Sequence, residues 1–235
     1  MADVEPRGTA TADLGRPPTA AERWLYRGVR GLVALIAAVW FRLEVRGREH
    51  LPEGPFVLAP VHRSNIDFLL AACVTPRRMR YMGKHTIWRY PTLGRFFTAL
   101  GAFPVHRGSA DREALRRCEA SLSGGEPLVM FPEGTRRSGP VVEELFDGTA
   151  FVAARAGVPI VPMGIGGSEA AMPRGAKWIR PAKIVVILGE PLPAPVGEEG
   201  ARPPRRAVRE TTERLREVVQ ALFDEAQRAA GTPNA

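Results

Sequence analysis

The sequence predicts an α/β protein with a mostly parallel central sheet that is covered by helices. Two observations predict this class. The apolar runs that follow residue 54 are continuous rather than alternating, as in strands that are buried on both faces. Stretches of helical character separate these runs, which favours repeated strand–helix–strand units. With 235 residues, the chain is long enough for one large domain with a small appendage.

The apolar runs and the segments between them assign the elements in chain order. We predict strands over 55–60, 78–83, 101–105, 127–132, 159–165 and 183–189. We predict helices over 66–74, 91–100, 109–123 and 145–156. A C-terminal amphipathic helix ending before Gly231 is predicted by apolar and small residues at helical spacing: Val208, Thr211, Leu215, Val219 and Leu222.

The N-terminal region divides into two parts ahead of a main domain over 44–230. Residues 1–20 are polar, proline-rich and without periodicity, which predicts a disordered lead that has no signal-peptide pattern. Residues 21–43 predict a helical segment. Its uninterrupted apolar part, 31–41, is shorter than the ~20 residues that span a bilayer. We therefore expect a helix lying at the membrane interface, the alternative being a core helix packed on the domain.

The basic charge is concentrated in one stretch. The formal net charge is +8, and between residues 77 and 117 ten Lys and Arg face two acidic residues, a surplus as large as that of the whole chain. Such a stretch suits an anionic membrane surface, a phosphorylated substrate or nucleic acid, or is simply solvated surface. Nucleic acid is disfavoured, because the interleaved aromatics of RNA-binding platforms and a helix-turn-helix pattern are absent from the sequence.

Polar residues follow several predicted strands directly. Ligands of mostly parallel sheets gather at the carboxyl ends of the strands, so these residues are candidates for a site. They are His62 and Asp67 after the first strand, His106 and Arg107 after the third, and Glu133 and Arg136 after the fourth. The two cysteines, Cys73 and Cys118, have no metal-ligand spacing and fit a reducing compartment.

The stretch HRSNID, residues 62–67, suggests base chemistry. A histidine beyond a strand end can present one ring nitrogen to a substrate while a carboxylate one turn later receives the proton on the other. The sequence lacks a G-x-S-x-G elbow, a P-loop and a G-x-G-x-x-G motif. His62 as a general base acting directly on a substrate hydroxyl, oriented by Asp67, is therefore one hypothesis. The alternative is a local hydrogen bond or a helix cap at Ser64 and Asn65.

The stretch FPEGTRRSG, residues 131–139, suggests phosphate binding. A strand that runs into Glu133-Gly134-Thr135-Arg136 places backbone N–H groups, a hydroxyl and arginines around a tight turn. A phosphate would repel Glu133, so this carboxylate is better suited to orienting an arginine or a substrate hydroxyl. A purely structural turn is the alternative.

Four motifs together resemble those of the PlsC-type acyltransferases, the lysophosphatidic acid and glycerolipid acyltransferase family. They are HRSNID, GAFPVHRG, FPEGTRRSG and VPIVPMGI, and the likeness runs from about Val45 to about Gly189. The resemblance implies a glycerolipid-acyltransferase-like fold. It also implies transfer of a fatty acyl group from acyl-CoA or acyl carrier protein to a lysophospholipid hydroxyl, most simply that of 1-acylglycerol 3-phosphate, without an acyl-enzyme.

The resemblance also implies roles for individual residues. His62 would be the general base and Asp67 its partner. Arg107 and the 133–136 turn would hold the acceptor's phosphate, and Pro159 and Pro162 would shape the acyl or acceptor pocket. No metal or other cofactor is implied, and the expected place is the cytoplasmic face of the cell membrane, as a peripheral or monotopic protein. Two departures from the family pattern are Val61, where many members have Asn, and Asp147, where a Lys is usual.

Two other functions remain open at this point. An enzyme of the same fold could acylate another hydroxyl or an amine in a specialised lipid pathway. Less in keeping with the motifs, the chain could be a non-catalytic binder of anionic lipid that uses the basic stretch.

Overall fold

The protein is described by a computed structural model for residues 17–105, 112–195 and 204–234. The strands are β1 (Glu44–Arg46), β2 (Val57–Pro60), β3 (Arg80–Lys84), β4 (Ala102–Val105), β5 (Leu128–Val129), β6 (Ile160–Gly166) and β7 (Val185–Leu188). The helices are α1 (Ala20–Trp40), α2 (Asp67–Ala72), α3 (Pro91–Ala99), α4 (Arg112–Ser123), α5 (Gly148–Ala156), α6 (Ser168–Ala171) and α7 (Arg205–Ala230).

All seven strands belong to one sheet in the order β1-β7-β6-β2-β5-β3-β4. The five strands from β6 to β4 are parallel, whereas β7 is antiparallel to β6 and carries β1 parallel to itself at the edge. The predicted fold class is confirmed. Because β2, β5 and β6 run in the same direction, their carboxyl ends lie at the same end of the sheet, and the residues after these strands come together there.

The structure differs from the predicted elements where local sequence carries little signal. β1 has three residues, two of them charged, and it is a strand because β7 pairs with it. The predicted strand 127–132 is reduced to Leu128–Val129, because the chain turns away from the sheet toward the site. The last predicted strand, 183–189, is observed as Val185–Leu188, and the predicted C-terminal helix is observed as Arg205–Ala230.

Helix α7 packs closely on β6. An added Cβ at Gly164 or Gly166 would collide with the α7 backbone at Leu222 or Ala226, so glycine at these positions permits the close approach. Val208, Leu215 and Val219 face the core as predicted, but Thr212 and Phe223 are buried rather than Thr211 and Leu222. The face of the helix toward the sheet therefore agrees with the prediction at three positions and is shifted by one residue at two, 211 and 222.

One face of α1 docks on the domain. A capping box between Thr19 and Glu22 begins the helix, so residues 19 and 20 belong to it rather than to the predicted lead. Tyr26 is buried and donates to the carbonyl of Arg77. The Nε of Arg30 donates to the carbonyl oxygens of Ala72 and Thr75, so this arginine holds the helix on the domain.

The opposite face of α1 is apolar and exposed. Its large exposed side chains are Trp24, Leu25, Leu32, Leu35, Ile36, Val39 and Trp40. Among the helices that the structure describes, none combines the length and apolar character needed to cross a bilayer. The lead over residues 1–16 lies outside the described residues.

Four arginines of the basic stretch 77–117 have partners inside the fold. Arg77 donates to the carbonyl oxygens of Pro52, Gly54 and Gly125. Arg78 and Arg80 both pair with Glu126, and Arg117 pairs with Glu113. These arginines are fully or partly committed to intramolecular partners, so the stretch is not a uniform basic surface.

Candidate active site

His62 and Asp67 lie side by side at the carboxyl edge of the sheet. β2 ends at Pro60, and the N–H of Val61 still donates to the carbonyl of Met163 in β6, which fixes the exit of the chain. α2 begins at Asp67, so the short turn between strand and helix brings its carboxylate back to the histidine. The Nδ1 of His62 is 3.0 Å from Oδ2 of Asp67.

Asp67 is fully buried and receives three hydrogen bonds on one oxygen. Besides Nδ1 of His62, the backbone N–H groups of Arg63 and Ser64 donate to Oδ2, each over 2.7 Å. The other oxygen, Oδ1, has no hydrogen-bond partner among the described residues. The two backbone donors hold the carboxylate in place, so the histidine presents Nδ1–H to it and keeps Nε2 available.

The imidazole of His62 is partly accessible. Its side chain is 14% exposed, and the ring stacks on Phe131 with centroids 4.0 Å apart. Within the described part of the chain, Nε2 makes no hydrogen bond. With Nδ1 held by Asp67, Nε2 is the ring nitrogen left to accept a proton from a bound hydroxyl.

Glu133 connects the stretch 131–139 with the stretch 62–67 through buried hydrogen bonds. Its carboxylate is 1% exposed and accepts the N–H of His62 over 2.8 Å. Nη1 of Arg63 donates to both carboxylate oxygens, over 2.8 and 2.7 Å. Glu133 therefore orients an arginine and the backbone of His62, which is one of the two tasks that the sequence suggested for it.

Arg63 is the functional residue that the sequence interpretation missed. It is fully buried, and besides Glu133 it donates to the carbonyl oxygens of Gly139 and Val141. Its guanidinium also lies over the ring of Phe223 in α7, 5.0 Å from the centroid. A signal was available: an arginine directly after a continuous apolar strand, with a glutamate in the next motif, predicts a buried ion pair.

The turn over 133–137 also donates a hydrogen bond to the carbonyl oxygen of His62. The N–H of Arg137 donates to the carbonyl oxygen of His62 over 2.9 Å. Gly134 has φ +66°, and an added Cβ would lie 2.7 Å from the ring of Phe146, so both its conformation and its surroundings require glycine. The backbone of His62 is thus held on both sides by one turn.

The two neighbouring arginines of this turn differ. Arg137 pairs with Glu143 over 3.0 Å. The half-buried side chain of Arg136, by contrast, makes no hydrogen bond or ion pair with any other described residue. Thr135 is exposed next to it. Arg136 is therefore the guanidinium of this turn that is available to an anionic ligand.

The remaining predicted site residues are not gathered around His62. His106 and Arg107 lie outside the described residues. Pro162 is buried in β6, next to β2, and pairs with Ala59, three residues before His62. Pro159 precedes β6 and lies level with Val57, at the opposite edge of the sheet from His62. A pocket role for the two prolines stays a prediction.

Neither Ser64, two residues after the histidine, nor Cys73, at the far end of α2, is an available nucleophile. Ser64 is fully buried and its Oγ donates to the carbonyl of Met172. Burial raises the pKa of the Cys73 thiol, which keeps it protonated at neutral pH. Within the described ranges, no group of three or more His, Cys, Asp or Glu side chains is arranged to hold a metal ion.

Residues 42–166 match the family model described as Acyltransferase. These residues include His62, Asp67 and the 133–137 turn. The chain belongs to this acyltransferase family. The match spans the strands β2 to β6 with both motifs of the site, so the family and the geometry concern the same residues.

Relatives of this chain are known from bacteria and algae. It is 28% identical over 170 residues to the 1-acyl-sn-glycerol-3-phosphate acyltransferase of Bacillus subtilis, covering 72% of this chain and 82% of that protein. It is 29% identical over 163 residues to the 1-acyl-sn-glycerol-3-phosphate acyltransferase of Chlamydomonas reinhardtii, covering 66% of this chain. The chain spans about half the length of the algal relative, 48%.

A solved structure shares the fold of this chain. The 1-acyl-sn-glycerophosphate (LPA) acyltransferase PlsC from Thermotoga maritima superposes with a TM-score of 0.71 at 24% identity. The superposition covers 87% of this chain and 80% of that one. The likeness therefore includes the sheet and most of the helices around it.

Proposed function

We propose that the chain transfers a fatty acyl group from a thioester, acyl-CoA or acyl carrier protein, to the hydroxyl of 1-acylglycerol 3-phosphate, giving phosphatidic acid. The observation that carries the proposal is the His62–Asp67 pair, whose backbone the Glu133–Arg137 turn holds in place. The names of the relatives support the same acceptor.

The reaction needs one proton transfer in each direction. Nε2 of His62 takes the proton of the acceptor hydroxyl as the oxygen attacks the thioester carbonyl. The Asp67 carboxylate stabilises the imidazolium that forms, because it already accepts Nδ1–H. The carbon–sulfur bond then breaks, and the imidazolium returns the proton to the leaving thiolate. The ester forms without an acyl-enzyme.

A panel of acceptors tests the proposed function. Thioester consumption should be fast with 1-acylglycerol 3-phosphate and at least tens-fold slower with a lysolipid that lacks the phosphate. Glycerol 3-phosphate, which has the phosphate but no acyl chain, separates the two contributions. Equal rates with and without the phosphate would favour the alternative, acylation of another hydroxyl or an amine. The acidic Asp147 in place of the usual lysine is compatible with such an acceptor.

Arg136 should bind the acceptor's phosphate. A guanidinium can hold two phosphate oxygens in a fixed fork, and that of Arg136 has no internal partner among the described residues. Arg136→Ala should raise the acceptor's KM by tens- to hundreds-fold, on the order of 2–3 kcal/mol for a charged hydrogen bond, and leave the donor's KM almost unchanged. Initial rates with each substrate varied in turn provide the measurement.

The neighbouring arginine provides the matched control for Arg136. Arg137→Ala removes a side chain that pairs with Glu143 and leaves the backbone N–H that holds His62. It should alter the acceptor's KM by less than about tenfold, because exposed ion pairs contribute little. Similar effects of both variants on both substrates would indicate a structural role and contradict phosphate binding by Arg136. Arg107 remains a second proposed phosphate ligand.

We also propose that the protein works at the cytoplasmic face of the cell membrane, as a peripheral or monotopic protein held by α1. The exposed apolar face of α1 is continued by exposed side chains of α3, which contacts α1. These side chains are Tyr90, Leu93 and Phe96, and they line an open cavity of about 560 Å³. Apolar surface of this extent suits the boundary between headgroups and acyl chains.

Polar substitutions on the outer face of α1 should release the protein from membranes. Leu32→Gln, Leu35→Gln and Val39→Gln together should weaken vesicle binding on the order of a hundredfold, since each side chain contributes about 1 kcal/mol when it leaves water. Sedimentation with anionic vesicles measures the change, and partial loss of binding at high salt is expected. The melting temperature should stay unchanged, because these side chains face away from the domain. Unaltered sedimentation would contradict the anchor.

A further inference from the structure

A second exposed apolar site lies in the loop between α6 and β7, over residues 172–184. Trp178 is 83% exposed, more than any other large hydrophobic side chain in the described part of the chain, and Ile179 beside it is also exposed. An indole has a large apolar ring and one N–H donor, which suits it to a boundary between an apolar and a polar environment. The loop therefore presents an aromatic tip.

Basic side chains surround this tip. Arg174, Lys177 and Arg180 are exposed, and no hydrogen bond or ion pair joins their side chains to other described residues. Lys183, at the end of the loop, lies 3.6 Å from Glu44. Between Ala170 and Gly189 the sequence contains no acidic residue. The tip thus combines an indole with uncompensated positive charge.

The base of the loop is fixed at the edge of the sheet that carries His62. The carbonyl of Met172 accepts from Ser64, two residues after the histidine, and the N–H of Arg180 donates to the carbonyl of Ala171. At the other end, the N–H of Ile184 donates to the carbonyl of Phe41, directly after α1. The loop therefore lies between the turn that carries His62 and the end of the apolar helix.

We infer that residues 173–180 form a second contact with the membrane, in which Trp178 inserts at the headgroup level of an anionic phospholipid surface. Indole side chains favour this level of a bilayer, and Arg and Lys next to it are attracted to lipid phosphates. The inference rests on the proposed action at a membrane. It adds an orientation: with α1 and this loop both on the lipid, the carboxyl end of the sheet, which carries His62, faces the surface in which the acceptor resides.

A reporter at the tip tests this contact on the full chain. Ile179→Cys can be labelled selectively with an environment-sensitive fluorophore, since Cys73 and Cys118 are buried. Vesicles of phosphatidylcholine with phosphatidylglycerol should shift its emission to shorter wavelength, and pure phosphatidylcholine should do so much less. Lys177→Glu with Arg180→Glu should raise the apparent dissociation constant for the mixed vesicles at least about tenfold.

Arg205→Glu with Arg216→Glu on α7 is the control of equal charge change and should leave vesicle affinity within about twofold. Sedimentation with the vesicles but no emission shift at position 179 would overturn the loop contact and leave the α1 anchor standing. Equal weakening by both charge-reversal pairs would overturn it as well, because charge at any place would then suffice. Lack of sedimentation would overturn both membrane contacts. Acyl transfer to a detergent-dispersed acceptor tests the proposed reaction separately from all three outcomes.

Discussion

Replacing His62 by alanine should slow acyl transfer by at least about a hundredfold, the low end of what a positioned general base contributes. The imidazole is the group that can take the acceptor's proton, since its Nε2 has no partner among the described residues while Nδ1 is held by Asp67. The effect should fall on kcat, with little change in the donor's KM, because the alanine retains the backbone bonds to Glu133 and Arg137.

Two further variants sharpen the test of the base. His50→Ala is the matched control, because this histidine bonds the carbonyl of Leu188 and lies apart from the site; its kcat should stay within a few-fold of wild type. Asp67→Asn can keep its amide oxygen on the three donors and place the NH₂ at the unpartnered Oδ1 position. It therefore removes the negative charge with little change of geometry, and kcat should fall by tens- to about a hundredfold, on the order of 2–3 kcal/mol.

Single-turnover rates with a saturating thioester measure these effects. Turnover of His62→Ala close to wild type, in protein whose melting temperature is unchanged, would contradict the proposed mechanism. Normal turnover of Asp67→Asn would limit the role of the aspartate to holding the ring, because the charge would then make no difference.

Replacing Arg63 by methionine should destabilise the protein by about 3–5 kcal/mol, a shift of the melting temperature on the order of 10 °C. The arginine and Glu133 are both buried, at 0% and 1% exposure, so the variant leaves a carboxylate without a counter-charge inside the protein. It also removes the donors to Gly139 and Val141, which hold the chain after the turn. Arg63→Lys should recover part of the stability, since a single ammonium cannot replace the fork.

Arg155→Met is the matched control, because Arg155 forms an exposed pair with Glu119 and its loss should cost less than about 1 kcal/mol. Combining Arg63→Met with Glu133→Gln should restore some of the stability but not kcat, because the N–H of His62 then loses a charged acceptor. Denaturant unfolding and initial rates on the same samples separate the two roles. An Arg63→Met variant as stable as Arg155→Met would show that this pair does not hold the site together.

Much of the site could be predicted from short stretches of sequence because each stretch forms its own turn. His62 and Asp67 are five residues apart across a strand-to-helix turn, and backbone N–H groups of the same turn complete the bonding of the carboxylate. The parallel sheet followed from continuous apolar runs, whose burial on both faces is a property of composition and spacing. The role of a residue whose partners are close in sequence can therefore be predicted from a sequence pattern.

The contributions of Arg63 and of the basic stretch depended on partners far away in the chain. Glu133 is 70 residues from Arg63, and whether an arginine is a free cation or a buried structural group is decided by which carboxylate or carbonyl the fold brings to it. The same holds for Arg77, Arg78 and Arg80, which the sequence presented as basic surface and the fold connects to Gly125 and Glu126.

The sequence by itself determined the α/β class, the position of the histidine and aspartate, and the turn that follows the fourth predicted strand, because these features arise from contacts within a few residues. The tertiary structure alone decided that Glu133 faces inward to Arg63 while Arg136 remains available, that Pro159 lies at the far edge of the sheet, and that Trp178 is exposed beside the site. The physical reason is that burial and pairing of a charged or aromatic side chain are set by neighbours that only the folded sheet brings together.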